Sequence, residues 1–491
     1  MAAMFATPVV MRETVASAQA ESNDPLCYTS VSDLMAMFRT GKASPVDLLK
    51  AQIKRIEALN PKVNCITYTH FDQALKEAQQ SEDRYRRGEA RPLEGITVAI
   101  KDEFARPGWR TTQGSLIFKD SPPATENAPV IDLLEAAGAV MPFQTTVPEF
   151  YFFLGASTRA WGTTHNPWNL EYSPGGSSAG SGAALAAGFA TLAMGSDMGG
   201  SIRIPASQNG LYGFRPPFGR VASGEVPMST AGPLARRFDD IVHLQNAIVG
   251  PSDRIMAAIR PRLDYPTQYP DLKGWRVAVD WGAAIAPVIP AVKDAMLKGL
   301  ATLRGAGCVV DEVDCGFSKE QKFVYIRGLM STSIGTLAEI ANSHRDLLSP
   351  YMAEILDQVG PVGPRQLEEA DELLERLHQQ VQQRVFGKGY RVLLMPTMAT
   401  PLVRADMFQS RQDNVDPWTG TGLGLALTWH WNLLNRYPVM DVPLGVVEDR
   451  MPSGMQVIGQ TFTDLDTFQF ASNWSRLQQS LFAAGRFPTF A

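Results

Sequence analysis

The sequence feature that most restricts the fold is a run of small residues near the middle of the chain. Ten of the 41 glycines in the 491-residue chain lie between positions 175 and 213, where an even spread would place about three. From Gly175 to Gly188, 13 of 14 residues are glycine, serine or alanine. So little side-chain bulk predicts a tight loop that leads into a helix packed closely against its neighbours. We therefore expect the chemistry of the protein in this interval.

The pattern around this interval is that of an α/β protein. Residues 95–102 form a short apolar run with β-branched residues, typical of a buried strand, and Lys101 lies near its carboxyl end. A helix at 128–138 and a strand at 139–143 follow, an order that favours parallel pairing. Further strands are predicted at 189–194, 275–281, 308–314, 392–396, 439–443 and 455–459, and further helices at 30–41, 44–60, 72–87, 290–305 and 365–385.

The chain has neither an internal repeat nor a linker rich in Pro and Ser, so we expect one large α/β domain at residues 26–491. Residues 1–25 are interpreted as a flexible leader. Ala18-Gln19-Ala20 looks like a signal cleavage site, but no Lys or Arg precedes the apolar part. Polar residues at 404–420 predict a surface loop.

Composition excludes several classes of protein. A net charge of −5 argues against a nucleic-acid surface. The four cysteines form no C-x-x-C pair, and no two of the six histidines are three or four residues apart, so we expect neither a metal nor any other cofactor. The absence of a run of 18 apolar residues predicts no membrane span. These features favour a cytoplasmic protein.

Within the glycine-rich interval, Gly199-Gly200-Ser201 has the features of an acyl-transfer site. Consecutive N–H groups ahead of a serine form a site for an anion, and the serine oxygen attacks while the N–H groups stabilise the oxyanion. The serine needs a base, and Lys101 is a candidate because a lysine in a dry site loses its proton more easily. A loop of this kind is more often a phosphate or cofactor loop, or plain close packing, and a lysine at a strand end is usually solvated or ion-paired.

Rival motifs differ in how well they match. Gly175 to Gly182 lacks the Lys-Ser/Thr of a Walker loop, and no G-x-G-x-x-G opens the helix. Gly176 to Gly180 does match G-x-S-x-G, the nucleophile elbow of α/β-hydrolases, in which Ser178 would attack and a later histidine would be the base. That interpretation leaves Lys101 and Ser201 unexplained, and residues 169–174 resemble a turn rather than the strand that an elbow needs.

Three motifs in this order resemble those of the amidase signature family. Ser177 follows Lys101 by 76 residues and precedes Ser201 by 24, and these spacings fit the family. The matching motifs are the lysine strand at 95–102, the Gly/Ser-rich segment at 173–182 and the nucleophile segment at 197–205, with agreeing flanks at 161–168, 210–216 and 432–459. The resemblance extends from about residue 30 to about residue 480.

The resemblance implies one α/β domain built around a large mixed sheet, with a Ser–Ser–Lys triad. By matching position, Ser201 is the nucleophile, Ser177 is the bridging serine that follows a cis peptide bond, and neutral Lys101 is the base. Ser177 would relay the proton between Ser201 and Lys101 and return it to the leaving amine.

The resemblance also implies supporting roles. Ser178 would hydrogen-bond Lys101, and Asp197 and Arg203 would brace the loop. The oxyanion would be bound by the backbone N–H groups of the nucleophile and of Met198, Gly199 and Gly200.

Departures from the family pattern concern the substrate. Ala179 stands where the family usually has Gly, and Met198 stands where Thr is frequent. Residues 144–149 and 214–217 depart as well. The apolar residues near the motifs suggest an acyl or aryl pocket, although about half of them are expected in the core; they are Phe150, Tyr151, Phe152, Phe153 and Met198.

The implied function is that of an amidase, a serine hydrolase that cleaves a C–N acyl bond of a small-molecule amide. Esters and carbamates undergo the same acyl-enzyme chemistry, and a preference for carbamates would make the protein a urethanase. The alternatives are a glutaminase subunit of a tRNA-dependent amidotransferase and a non-catalytic binding protein. The sequence leaves monomer and homodimer equally open.

Overall fold

Helices surround a mixed β-sheet in the computed structural model, which describes residues 24–224, 226–332, 335–359, 362–407 and 423–490. No helix within these ranges is both long enough and apolar enough to cross a membrane.

Two of the predicted surface segments lie mostly outside the described residues. Of the leader at 1–25, only Asp24 and Pro25 are described, where Asp24 caps a 3₁₀ turn at Pro25–Tyr28. Of the loop at 404–420, only residues 404–407 are described.

Eleven described strands form the large sheet, and two form a separate hairpin. In chain order they are β1 (Ile66–Thr69), β2 (Val98–Lys101), β3 (Phe143–Thr145), β4 (Ser157–Thr158), β5 (Gly162–Thr163), β6 (Leu192–Asp197), β7 (Tyr212–Arg215), β8 (Thr230–Ala235), β9 (Arg276–Val279), β10 (Val309–Glu312), β11 (Val392–Pro396), β12 (Val439–Val446) and β13 (Pro452–Gly459). The sheet order is β1–β3–β2–β6–β8–β7–β12–β13–β11–β9–β10, and β4 pairs with β5. The prediction of a single α/β domain with a mixed sheet is confirmed.

The strand that ends at Lys101 lies inside this sheet between two parallel neighbours, β3 and β6. All four residues of β2 are buried, which explains an apolar run without alternation. Ile100 lies opposite Gln144 of β3. The predicted parallel pairing is confirmed, although β3 begins at Phe143 and Val140 makes only an isolated bridge.

The six helices whose bounds the sequence predicts begin and end within three residues of those bounds. Gly41 ends the first helix in the left-handed conformation, at φ 68°. Ser44 and Asp47 form a reciprocal capping box at the start of the second, a contact that contributes about 1 kcal/mol. The helices are α1 (Val31–Thr40), α2 (Pro45–Val63), α3 (Phe71–Arg87), α4 (Pro129–Ala137), α5 (Ala179–Ala186), α6 (Arg203–Asn209), α7 (Phe238–Ile248), α8 (Pro290–Gly305), α9 (Gln321–Met330), α10 (Gly335–Ser343), α11 (Pro350–Val359), α12 (Pro364–Arg384), α13 (His430–Leu433) and α14 (Asp464–Leu477).

The run of small residues forms the loop and helix that its composition predicts. All eight residues of α5 are buried, and the helix packs against β2, β3, β6 and α6. A Cβ atom at Gly180 would collide with the carbonyl oxygen of Cys65. The small side chains therefore let this helix approach neighbouring backbone closely, and they place the loop before it beside the end of β2.

Candidate active site

Lys101, the last residue of β2, is the centre of a buried hydrogen-bond cluster. Its side chain is fully buried, and its Nζ donates to Ser177 Oγ at 2.8 Å and to Ser196 Oγ at 2.7 Å. The carboxylate of Glu103 lies 3.1 Å from the same nitrogen. The predicted lysine and bridging serine are thus in direct contact.

Burial lowers the pKa of Lys101, because its ammonium form loses hydration in a dry site. The Glu103 carboxylate raises the same pKa but does not outweigh burial. A lysine in this state releases its proton more readily than one in water, and the neutral amine can accept a proton from a hydroxyl. Lys101 therefore has the electrostatic surroundings of a general base.

Ser177 reaches Lys101 because the loop before α5 passes close to another part of the backbone. Ser177 is buried, and the Gly176–Ser177 peptide bond is cis, as the resemblance implied. A Cβ atom at Gly176 would collide with the carbonyl oxygen of Phe153. Glycine at this position therefore lets the loop bring the serine hydroxyl to the lysine.

Ser201 lies beside this loop, on the wall of a cleft that Gly176 also lines. Its carbonyl oxygen accepts the N–H of Ser178 at 3.2 Å. Its side chain is partly exposed, and within the described part of the chain its Oγ has no hydrogen-bond partner. The structure thus brings Lys101, Ser177 and Ser201 to one place, with a direct hydrogen bond between the first two.

The segment from Asp197 to Arg203 is braced by a buried ion pair. Arg203 Nε lies 2.9 Å from Asp197 Oδ2, and both side chains are fully buried. Burial by itself raises the pKa of Asp197, but the adjoining Arg203 outweighs burial and holds that pKa well below its usual range. The carboxylate also accepts the N–H of Ile202 at 3.2 Å. The predicted bracing role of this pair agrees with these contacts.

The expectation that the N–H of Gly200 is available to an oxyanion is wrong. That N–H donates to Asp197 Oδ1 at 2.8 Å, because the buried carboxylate needs donors of its own. Among described residues, no hydrogen bond takes up the other backbone N–H groups of the predicted set, which are those of Met198, Gly199 and Ser201.

Two side chains from distant parts of the chain hold the carbonyl groups of this loop. Thr428 Oγ1 donates to the carbonyl oxygen of Gly199 at 2.6 Å, and the Tyr325 hydroxyl donates to that of Met198. The C=O and N–H of one trans peptide point in opposite directions. By holding the Met198 carbonyl on one side, Tyr325 therefore turns the N–H of Gly199 to the other.

Ser178 does not hydrogen-bond Lys101, so that prediction is wrong. Its Oγ donates to the carbonyl oxygen of Ser196 at 3.4 Å, and the hydroxyl of Ser196 takes the predicted place on the lysine. The physical reason is local: Ser178 directly precedes α5 and its N–H is held by Ser201, which turns its side chain towards β6.

The nucleophile-elbow interpretation is also not supported by the geometry. Residues 169–174 contain only isolated bridges and no strand. Nor does any histidine downstream hydrogen-bond Ser178. The contacts of these histidines are His243 with Ser32, His344 with the Ile340 carbonyl, His378 with Tyr437, and His430 stacked between Phe317 and Trp429.

The cleft beside Ser201 has a volume of about 630 Å³, which includes its open mouth, and it is walled mainly by apolar and aromatic side chains. All five residues expected at an apolar pocket line it, and two of them, Phe150 and Phe153, are also nearly fully buried. The complete lining is Phe150, Tyr151, Phe152, Phe153, Leu154, Gly176, Met198, Gly199, Ser201, Ile204, Lys322, Tyr325, Ile326, Leu329, Ala426 and Trp429. Within the described ranges, no group of three or more His, Cys, Asp or Glu side chains is placed to hold a metal ion.

Sequence patterns did not single out four residues that contact this site. Glu103 and Ser196 each carry a weak signal, because they adjoin the predicted motifs at 95–102 and 197–205. Tyr325 and Thr428 carry none, since they lie 127 and 229 residues along the chain from the carbonyls that they bind.

Known proteins resemble this chain over most of its length. A sequence model of the Amidase family matches residues 47–468. A glutamyl-tRNA(Gln) amidotransferase subunit of Symbiobacterium thermophilum is 30% identical over 90% of this chain and 95% of its own. An acylamidase of Rhodococcus erythropolis is 29% identical over 92% of this chain and 96% of its own.

Solved structures show the same architecture. A bacterial aryl acylamidase of the amidase signature family superposes with a TM-score of 0.86 and 25% identity, over 94% of this chain and 100% of its own. A 6-aminohexanoate cyclic dimer hydrolase, 23% identical, shares the fold with a TM-score of 0.84 over 94% of this chain and 99% of its own. With the family match extending over most of the sequence and the same fold in these structures, the chain belongs to the amidase signature family.

Proposed function

We propose that the protein is a serine hydrolase that cleaves the C–N acyl bond of a small-molecule amide through an acyl-enzyme, without a cofactor. The observation that carries the proposal is the 2.8 Å hydrogen bond between buried Lys101 and Ser177, beside a cleft that exposes Ser201. A base, a relay hydroxyl and a nucleophile are the groups that such chemistry needs.

In the proposed mechanism, neutral Lys101 accepts the proton of Ser177 as Ser177 accepts the proton of Ser201. The Ser201 oxygen attacks the acyl carbon, and the N–H groups of the loop stabilise the negative oxygen that forms. When this intermediate collapses, the relay returns the proton to the nitrogen that leaves as an amine. Water then takes the place of the amine, gives a proton to the same relay and attacks the acyl carbon. The bond between the acyl carbon and the Ser201 oxygen breaks, the relay returns the proton to that oxygen, and the acid leaves as its carboxylate.

The apolar and aromatic lining of the cleft favours an aryl or otherwise apolar substrate. Six aromatic side chains line it, and aromatic walls gain most from covering an apolar group. Aryl amides fit this environment, and so do aryl esters and carbamates, which undergo the same acyl transfer.

A second candidate is the glutaminase subunit of a tRNA-dependent amidotransferase, favoured by the 30% identity to a protein of that kind. Glutamine carries both a carboxylate and an ammonium, which need charged or strongly polar partners when they leave water. The aromatic walls of the cleft offer few such partners, and this favours the hydrolase.

A substrate panel tests the two candidates with the purified chain alone. The panel contains anilides, p-nitrophenyl esters, aryl carbamates, peptide amides and glutamine. We expect the anilides to be hydrolysed without any partner protein. Activity confined to glutamine, or appearing only when partner proteins are added, would favour the amidotransferase. The Ser201→Ala variant provides the blank.

Removing the Tyr325 hydroxyl is expected to lower kcat while leaving KM nearly unchanged. The phenol holds the Met198 carbonyl, so Tyr325→Phe leaves the N–H of Gly199 less well oriented towards the oxyanion. We expect a loss of about tenfold, smaller than the 10²–10³ that follows loss of a direct donor. Steady-state kinetics on an anilide measure it.

Tyr85→Phe is the matched control, because its hydroxyl also donates to a carbonyl, that of Glu94 at 3.1 Å, away from the cleft. If both variants keep the kcat of the wild type, Tyr325 does not orient the loop.

A further inference from the structure

Glu103, Ser196 and Lys101 form a closed triangle of polar contacts. Glu103 Oε2 lies 3.1 Å from Lys101 Nζ, and the same carboxylate oxygen accepts the hydroxyl of Ser196. Ser196 in turn accepts a hydrogen bond from Lys101 at 2.7 Å. The lysine is fully buried, whereas a quarter of the Glu103 side chain is exposed. The lysine of this pair is therefore shielded from water, whereas the glutamate is partly exposed.

The other titratable groups near Lys101 are engaged elsewhere. The carboxylate of Asp102 accepts the N–H of Thr112 at 2.9 Å, and burial raises the pKa of Asp102 to about 6. Asp197, at the end of β6, pairs with Arg203. The ring of Tyr151 lies 5.1 Å from Lys101 Nζ, and burial raises the pKa of Tyr151 well above its ordinary value, so it is uncharged.

Within the described ranges, Glu103 is consequently the one carboxylate at ion-pair distance from this lysine. A carboxylate so near the amine stabilises the ammonium form. The triangle also restrains the orientation of the Lys101 amine. Two of the amine's polar contacts are to Glu103 and Ser196, and the third is to Ser177.

We propose that Glu103 is a positioning residue that sets the pH above which Lys101 serves as the base. The proposal rests on the proposed function. Removing the negative charge disfavours the ammonium, so Lys101 loses its proton at a lower pH. The acidic limb of the pH profile then moves to lower pH, and the fraction of active enzyme in mildly acidic solution rises.

The test is the pH dependence of kcat/KM for an anilide in the wild type, Glu103→Gln and Glu103→Asp. We expect the acidic limb of the Glu103→Gln profile to lie about one pH unit below that of the wild type. Glu103→Asp keeps the negative charge, so its acidic limb should lie close to that of the wild type. Glu103→Asn, a second uncharged variant, repeats the test if Glu103→Gln does not fold. The pH dependence of fluorophosphonate labelling of Ser201 measures the same base without an amide substrate.

Glu126→Gln is the matched control, because among the described residues this exposed carboxylate pairs only with the surface residue Arg254, at 3.7 Å. Its profile should follow that of the wild type. If Glu103→Gln lowers kcat/KM by the same factor at every pH, and the acidic limb of its profile does not move, Glu103 is merely structural and the proposal is overturned. If the wild type is neither labelled nor active on any substrate, the proposed function fails, and the role of Glu103 fails with it.

Discussion

Replacing Ser201 with alanine is expected to abolish hydrolysis, with kcat falling by about 10⁴-fold or more. In the proposed mechanism Ser201 supplies the oxygen that attacks the acyl carbon, so the variant lacks the nucleophile. Steady-state turnover of an anilide measures the loss. Intact-protein mass spectrometry after fluorophosphonate treatment should show one added group on the wild type and none on the variant.

The matched control is Ser178→Ala, in the adjoining loop. Within the described part of the chain, the side chain of Ser178 makes a single long hydrogen bond, 3.4 Å to the Ser196 carbonyl. We therefore expect this variant to fold, to turn over substrate and to be labelled at Ser201. If instead Ser178→Ala loses labelling while Ser201→Ala keeps it, Ser178 is the nucleophile and the elbow interpretation returns.

Replacing Lys101 with methionine is expected to lower kcat/KM by about 10²–10⁴-fold, the usual contribution of a general base. Methionine has a similar length but cannot accept a proton. In the wild type, activity should rise with pH as Lys101 deprotonates, at a pH below that of an ordinary lysine because burial lowers its pKa. The residual activity of the variant should lack this rise.

The same substitution should leave the unfolding temperature at pH 7 within a few degrees of the wild type. Because the pKa of Lys101 is lower in the folded protein than in the unfolded chain, the unfolded chain binds more protons. Folding therefore costs free energy at neutral pH, and this cost falls as the pH rises towards the pKa of the unfolded chain. Methionine at this position removes the free-energy cost of burying a lysine, but it also removes the hydrogen bonds to Ser177 and Ser196, so the two effects on stability oppose each other.

Differential scanning calorimetry tests the stability, with Lys298→Met on the exposed side of α8 as control. Wild-type turnover in Lys101→Met would refute the proposed base. A large decrease in its unfolding temperature would mean that activity is lost because the variant unfolds, and not because the base is missing.

Local signals in the sequence predicted the elements that depend on neighbouring residues. The predicted end of the first helix at residue 41 and the start of the second at residue 44 are observed, and the left-handed Gly41 and the capping box at Ser44 set them by contacts within a few residues. The contact between Lys101 and Ser177 was predicted across 76 residues, but only because two spaced motifs resemble those of a family.

The corrections to the site arise because several polar groups lie near the same partner, between distant segments at Lys101 and within one loop at Gly200. Ser178 was expected on Lys101, yet the hydroxyl from the end of β6, Ser196, lies there instead. Gly200 was expected to face the oxyanion, yet the buried Asp197 takes its N–H. Neither outcome follows from spacing, because each depends on which of several nearby polar groups is closest after packing.

The sequence by itself therefore determined the α/β class and the family, and it predicted where along the chain the chemistry is to be expected. It did so because strand periodicity, helix caps and the glycine-rich interval are properties of short segments. Only the tertiary structure decided which groups contact Lys101, which N–H groups of the loop stay available, and that Tyr325 and Thr428 hold it. Those outcomes depend on burial, because a buried polar atom needs a hydrogen-bond partner within the protein. Which partner it finds depends on interatomic distances that only the folded chain defines.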